Sequence, residues 1–154
     1  MKLPRYWQAS LIQLLAVPGM LIAYYLLLYH NGVLFTTCTI NEFFDCGQVS
    51  GPGAAYSAIG PIPVALIGLL GYAAIFVVIW LRDWSPAIRE LLPELVIGLV
   101  GVAFLFTLGL TLLELLVIHA FCQFCLYSSV IVLAMLVLAL SMAIGSRQEV
   151  NIAD

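Results

Sequence analysis

Every lysine and arginine of this chain falls in a break between long apolar stretches, and always on the same side of a four-span arrangement. The stretches run from about Trp7 to Tyr29, then 60–81, 93–118 and 120–144. Each reaches the length of about 20 residues that a helix needs to cross a bilayer core. Lipid offers no water to unpaired backbone groups, so helix is the form such a stretch takes. Lys2 and Arg5 precede the first stretch, Arg82 and Arg89 separate the second from the third, and Arg147 follows the fourth. The two remaining breaks hold no basic residue. The positive-inside rule then puts both termini in the cytoplasm and the other two loops outside the inner (plasma) membrane. A missing or extra span would scatter these charges over both faces. The expected fold is an all-α membrane protein, a four-transmembrane-helix bundle with a long outer loop between helices 1 and 2.

Composition agrees. The chain is 64% hydrophobic and 8% charged over 154 residues, against about 25% charged in soluble domains, so a water-facing shell cannot be covered. A net charge of −3 without a basic run argues against a nucleic-acid partner. The reading is one integral membrane domain over 1–154, with no fused thioredoxin-like domain. The first stretch is too long for a signal h-region and lacks a clear cleavage site, so it reads as a retained helix. Pro18-Gly19 marks a kink that neighbouring helices can tolerate. Ser50-Gly51-Pro52-Gly53 signals turns in the outer loop, and Pro61 and Pro63 suit the start of the second helix. Pro86 and Pro93 interrupt the segment after Leu81, so the third span is expected only from Pro93. The tail from Gly145 to Asp154 is polar and reads as loose.

All four cysteines fall at the outer face. Cys38 and Cys46 lie in the long loop, while Cys122 and Cys125 form a CxxC at the outer start of the fourth helix. Residues three apart share a helix face, so these sulfurs can bridge. A helix N-terminus stabilises a thiolate, and the thiolate is the nucleophile of disulfide exchange. An outward compartment also favours oxidation. One pair is thus within reach of a soluble protein and the other within reach of a lipid-soluble carrier. This suggests a two-electron relay from a soluble dithiol to a quinone. Three simpler readings compete. Two structural disulfides could staple the outer face. A zinc site is disfavoured because Cys38 and Cys46 are spaced too far apart for a CxxC-like knuckle. Haem attachment is disfavoured because Leu126 follows Cys125. Four cysteines allow three pairings, and sequence does not choose among them.

The ordered cysteines, the stretch from Tyr56 to Gly68 with its Ile62-Pro63-Val64-Ala65 helix start, and the segment Glu114–Ser128 with His119-Ala120-Phe121-Cys122-Gln123-Phe124-Cys125-Leu126 together resemble the bacterial homologues of vitamin K epoxide reductase. The resemblance covers most of the chain. It implies a four-helix bundle around a quinone (ubiquinone, menaquinone or related) and a thiol oxidase that supports disulfide formation outside the cytoplasm. By analogy, Cys125 reacts with the quinone, Cys122 exchanges with the loop through Cys46, and Cys38 meets a separate thioredoxin-fold partner. The offset at which the family carries a loop serine falls on Pro52, with Ser50 before it and Ser57 after. Ser50 is the favoured match. Where animal members have a tyrosine after the last cysteine, this chain has Ser129, which disfavours epoxide reduction. A second bacterial family of quinone-linked thiol oxidases carries its CxxC in the first outer loop, the reverse of the order here.

Other residues complete the expectations. Phe121, Phe124 and Tyr127 surround the CxxC and are candidates to line a quinone pocket. Aromatic residues are also common at membrane interfaces. Glu114 lies inside the third span, where an acid is by default a functional hypothesis, either for a proton step or as a packing hydrogen bond. His30 and His119 end spans and read as interfacial. Asp45 either tunes Cys46 or is simply solvated, and Gly68 and Gly71 allow close helix approach.

Overall fold

The structure, a computed structural model, describes residues 7–34 and 45–153, with side chains as far as Gly145. Cys38 lies outside the described residues. Helix α1 spans Trp7–His30, and a short helix α2, Cys46–Ser50, follows in the outer loop. The two-residue strands β1 (Ala58–Ile59) and β2 (Ile62–Pro63) pair antiparallel. Then come α3 (Val64–Leu81), α4 (Pro86–Leu113) with a π-helical extension Glu114–Ile118, and α5 (Gln123–Ala153).

Four helices are long and apolar enough to cross a membrane: Trp7–His30, Val64–Leu81, Pro86–Ile118 and Gln123–Gly145. They close into a ring, in which α1 packs on α3 and α5, and α4 packs on α3 and α5. Ile12, Ala16, Ile75, Ile79, Val96 and Met135 fill the centre. Large apolar residues such as Leu14, Leu21, Leu105 and Val130 point outward, as a lipid-facing surface requires.

Several boundaries differ from expectation. The third span starts at Pro86, not Pro93. Pro86 occupies the first turn of α4, where its missing N–H is no loss. Pro93 is buried inside the helix, a placement that packed neighbours make tolerable in a membrane. The second span starts at Val64, because Pro61 and Pro63 belong to a small hairpin. Gly60 turns that hairpin with φ of 63°, a conformation open to glycine, and the Val64 N–H donates to the Ser57 carbonyl at 2.9 Å. The tail is not loose, since α5 continues to Ala153.

Helix α1 runs through Pro18 without a break. Its Gly19 makes room for a neighbour, because a Cβ there would run into the ring of Tyr72. The Tyr72 hydroxyl in turn pairs with Ser128 Oγ at 2.7 Å, linking α3 to α5. Gly68 and Gly71 do not make the close crossing expected of them. A Cβ on Gly71 would meet nothing within 4 Å, and one on Gly68 would make ordinary contact with Ala23 at 3.9 Å. At the opposite end from the cysteines, Arg82 Nη2 donates to Ser10 Oγ at 3.1 Å and ties α3 to α1.

Candidate active site

The site begins with the way α4 ends. Its last turn widens into the π-helical segment, which stops at His119 in the left-handed conformation, φ 56° and ψ 23°. Histidine is among the residues enriched there, and here its Nδ1 lies 3.0 Å from the Leu115 carbonyl oxygen. Single π turns inside α-helices are frequent at functional sites. The reversal buries Ala120 and Cys122, both almost without exposure. The Leu126 N–H donates to the Cys122 carbonyl at 3.0 Å, so Cys122 is the N-cap of α5 and Cys125 stands three residues in. This position brings the backbone N–H and the thiol of Cys125 to the Cys122 sulfur, the placement of an N-cap acceptor.

The loop supplies the other wall. Asp45 caps α2, its Oδ1 accepting from the Gly47 N–H at 2.8 Å. Asp45 therefore builds the helix that carries Cys46. Cys46, Val49, Leu26, Ala120 and Cys122 form one buried cluster, with Cys125 packed against it. Cys46 is held in a disulfide, while Cys122 and Cys125 carry free thiols. Ser50, one helical turn beyond Cys46, puts its hydroxyl 3.9 Å from Cys122 Sγ and 4.0 Å from Cys125 Sγ. The Ser57 hydroxyl donates to the Ala54 carbonyl instead, at 2.8 Å.

Glu114 is only 3% exposed. Its Oε2 accepts from the Cys122 N–H at 3.5 Å, and its carboxyl also reaches the Cys125 thiol. These groups pull on Cys122 in both directions. The hydrogen bond from the Cys125 thiol acts most strongly and holds the Cys122 thiol below its ordinary pKa. Burial opposes it, the Cys125 N–H assists, the Glu114 charge opposes and Ser50 assists. The net effect favours the thiolate at Cys122.

Below the cysteines lies a cavity of about 270 Å³ with predominantly apolar walls. Helices α1, α3, α4 and α5 all contribute, through residues such as Ile22, Gly71, Tyr72, Phe106 and Val132, and Ser50, Glu114 and Cys125 reach it from the outer end. Cys122 does not line it.

A model of the vitamin K epoxide reductase family matches residues 10–140, from within α1 to within α5. The chain belongs to that family. Membership implies a membrane thiol–disulfide and quinone oxidoreductase. A search among curated proteins returned no match.

The aromatic trio expected to line a quinone pocket does not border this cavity. Phe121, Phe124 and Tyr127 are not among the residues that line the cavity. The Phe124 ring packs against Tyr25 at 4.9 Å and Tyr127 at 6.4 Å. The exposed Tyr127 hydroxyl accepts from Gln123 Nε2 at 2.7 Å. Nearness in sequence to the CxxC made them candidates, yet Phe121 precedes α5 and Phe124 packs against the buried cysteine cluster. The lining residues of α1, α3 and α4 were missed, because no local motif marks residues that meet only in the folded bundle. Gly71 could have signalled the cavity, since a glycine in a helix that is not at a crossing leaves space.

Proposed function

We propose that the protein is a membrane thiol oxidase that moves two electrons from a reduced thioredoxin-fold protein, through the loop cysteines and the CxxC, to a quinone in the bilayer. The observation that carries this reading is the separation of the two CxxC sulfurs. Cys125 lines the apolar cavity, whereas Cys122 is shut away from it and shares a buried cluster with Cys46. One sulfur faces the lipid-soluble acceptor and the other faces the loop.

The steps balance as thiol–disulfide exchange. The partner's dithiol reduces the loop disulfide and leaves as a disulfide. The Cys46 thiolate then attacks Cys122 in the Cys122–Cys125 disulfide and releases Cys125. Cys38 displaces Cys122 from the mixed disulfide, which restores the loop disulfide and leaves a dithiol at the CxxC. That dithiol gives two electrons and two protons to the quinone, which departs as quinol. A disulfide at Cys46 with free thiols at Cys122 and Cys125 fits the stage just before quinone reduction. The favoured thiolate at Cys122 then attacks the Cys125 sulfur as that sulfur passes its electron pair to the quinone, which closes the bridge. Glu114, in reach of both residues, takes up a proton on this reading. On this reading the cysteines face the outer side of the inner (plasma) membrane.

The test uses purified protein with oxidised ubiquinone-1 and a reduced thioredoxin-fold oxidase, with quinone absorbance as the readout. Cys122→Ala and Cys125→Ala should abolish quinone loss, and Cys38→Ala should block turnover with the protein partner. Full turnover by Cys125→Ala would sink the mechanism.

A further inference from the structure

The cavity is apolar, but its wall carries several polar side chains, and most are already engaged. Tyr72 bonds Ser128 at 2.7 Å, Thr111 donates to the Thr107 carbonyl at 3.0 Å, and Ser129 donates to the Cys125 carbonyl at 2.8 Å. Ser50 and Glu114 serve the cysteines, and Ser57 serves Ala54. Tyr56 and Thr107 line the cavity as well, but His30 is the cavity residue whose polar atom is buried without a hydrogen-bond partner among the described residues. It is the last residue of α1, and the unpaired atom is its Nδ1. The other buried atom in that condition, Gln8 Oε1, lies at the far end of α1 and does not reach the cavity. A buried polar group left unpaired is costly, and each one calls for an explanation.

We infer that His30 is the polar anchor of the cavity, its ring turning to present Nδ1 to a carbonyl oxygen of the quinone headgroup. This rests on the quinone reading above. A neutral imidazole suits both redox forms of such a ligand. With the proton on Nδ1 it donates to a quinone carbonyl, and in the other tautomer the same nitrogen accepts from a quinol hydroxyl. The ring marks the outer end of the cavity on α1, while Cys125 marks it on α5. A headgroup held between them leaves its apolar tail to the walls of α3 and α4.

The experiment titrates ubiquinone-1 into wild type, His30→Phe, His30→Gln and Cys125→Ala. Binding is followed by intrinsic fluorescence quenching, and turnover with dithiothreitol as donor. His30→Phe should weaken quinone binding and raise the quinone KM about three- to tenfold, the effect of one hydrogen bond in a dry site. The dithiothreitol KM should not change, and His30→Gln, whose amide still donates, should fall between. A second measurement needs no variant. The chain has two histidines, and His119 Nδ1 is already bonded to Leu115. In ¹⁵N-histidine-labelled protein, ubiquinone-1 should therefore shift the His30 signal and leave that of His119. An unmoved His30 signal at saturating quinone, or wild-type binding by His30→Phe, overturns the inference while leaving the oxidase reading intact. Binding that depends on His30 without turnover in wild type supports the anchor and defeats the oxidase. Neither binding nor turnover in wild type defeats both.

Discussion

At the scale of single residues, the site is a contest over one sulfur. Ser50 and Cys125 favour charge on Cys122, and Glu114 opposes it. Substitutions should therefore move Cys122 in opposite directions. Ser50→Ala removes a donor, so the thiol pKa rises, the thiolate fraction at any given pH falls, and the rate–pH curve shifts to higher pH. Glu114→Gln removes a negative charge while its amide oxygen can still accept from the Cys122 N–H, so the curve shifts to lower pH. The pH profile of quinone turnover with the protein donor, measured for each variant beside wild type, checks both signs. Shifts in the same direction would show that the electrostatic account of this sulfur is wrong. The placement of the CxxC at a helix start was legible in the sequence, because the spacing of three residues and the helix start are local. The roles of Asp45 and Ser50 became plain only once the loop had folded into α2, a five-residue helix with no periodic pattern to reveal it.

At the scale of elements, glycines on two helices do opposite things. Gly19 admits the Tyr72 ring, so Gly19→Ala should push that ring, strain its pairing with Ser128 and cost about 1–3 kcal/mol of stability, as overpacking usually does. A thermal melt in detergent measures this. Gly71 borders the cavity with open space beside it. Gly71→Val should therefore leave the melt nearly unchanged and reduce quinone turnover at least tenfold by filling the site. If Gly71→Val unfolds the protein instead, the open space has been misassigned. The spans themselves were legible, since hydropathy sums over a whole helix and tolerates local irregularity. Their ends were not, because Pro86 serves as a first-turn residue and Pro63 as a strand residue, and both look like interruptions in a linear reading.

At the scale of the whole molecule, the distribution of charge and the distribution of sulfur describe one polarity. Arg82 holds α3 to α1 at one end, and the cysteine cluster joins α1, α2 and α5 at the other. In a background without native cysteines, Trp84→Cys and Val33→Cys place single exposed thiols at the two ends. A membrane-impermeant maleimide applied to intact spheroplasts should label Val33→Cys at least tenfold more than Trp84→Cys, with the difference lost on permeabilisation. The reverse pattern would invert the bundle. Cys122 has 0% exposure, and this carries a consequence for how such a relay behaves among the many small thiols of its surroundings. A sulfur with no surface cannot be drained by whatever reductant drifts past. On the proposed reading it is insulated, and electrons enter only where α2 makes the connection. The burial that looks like an obstacle to chemistry is what keeps the circuit from shorting.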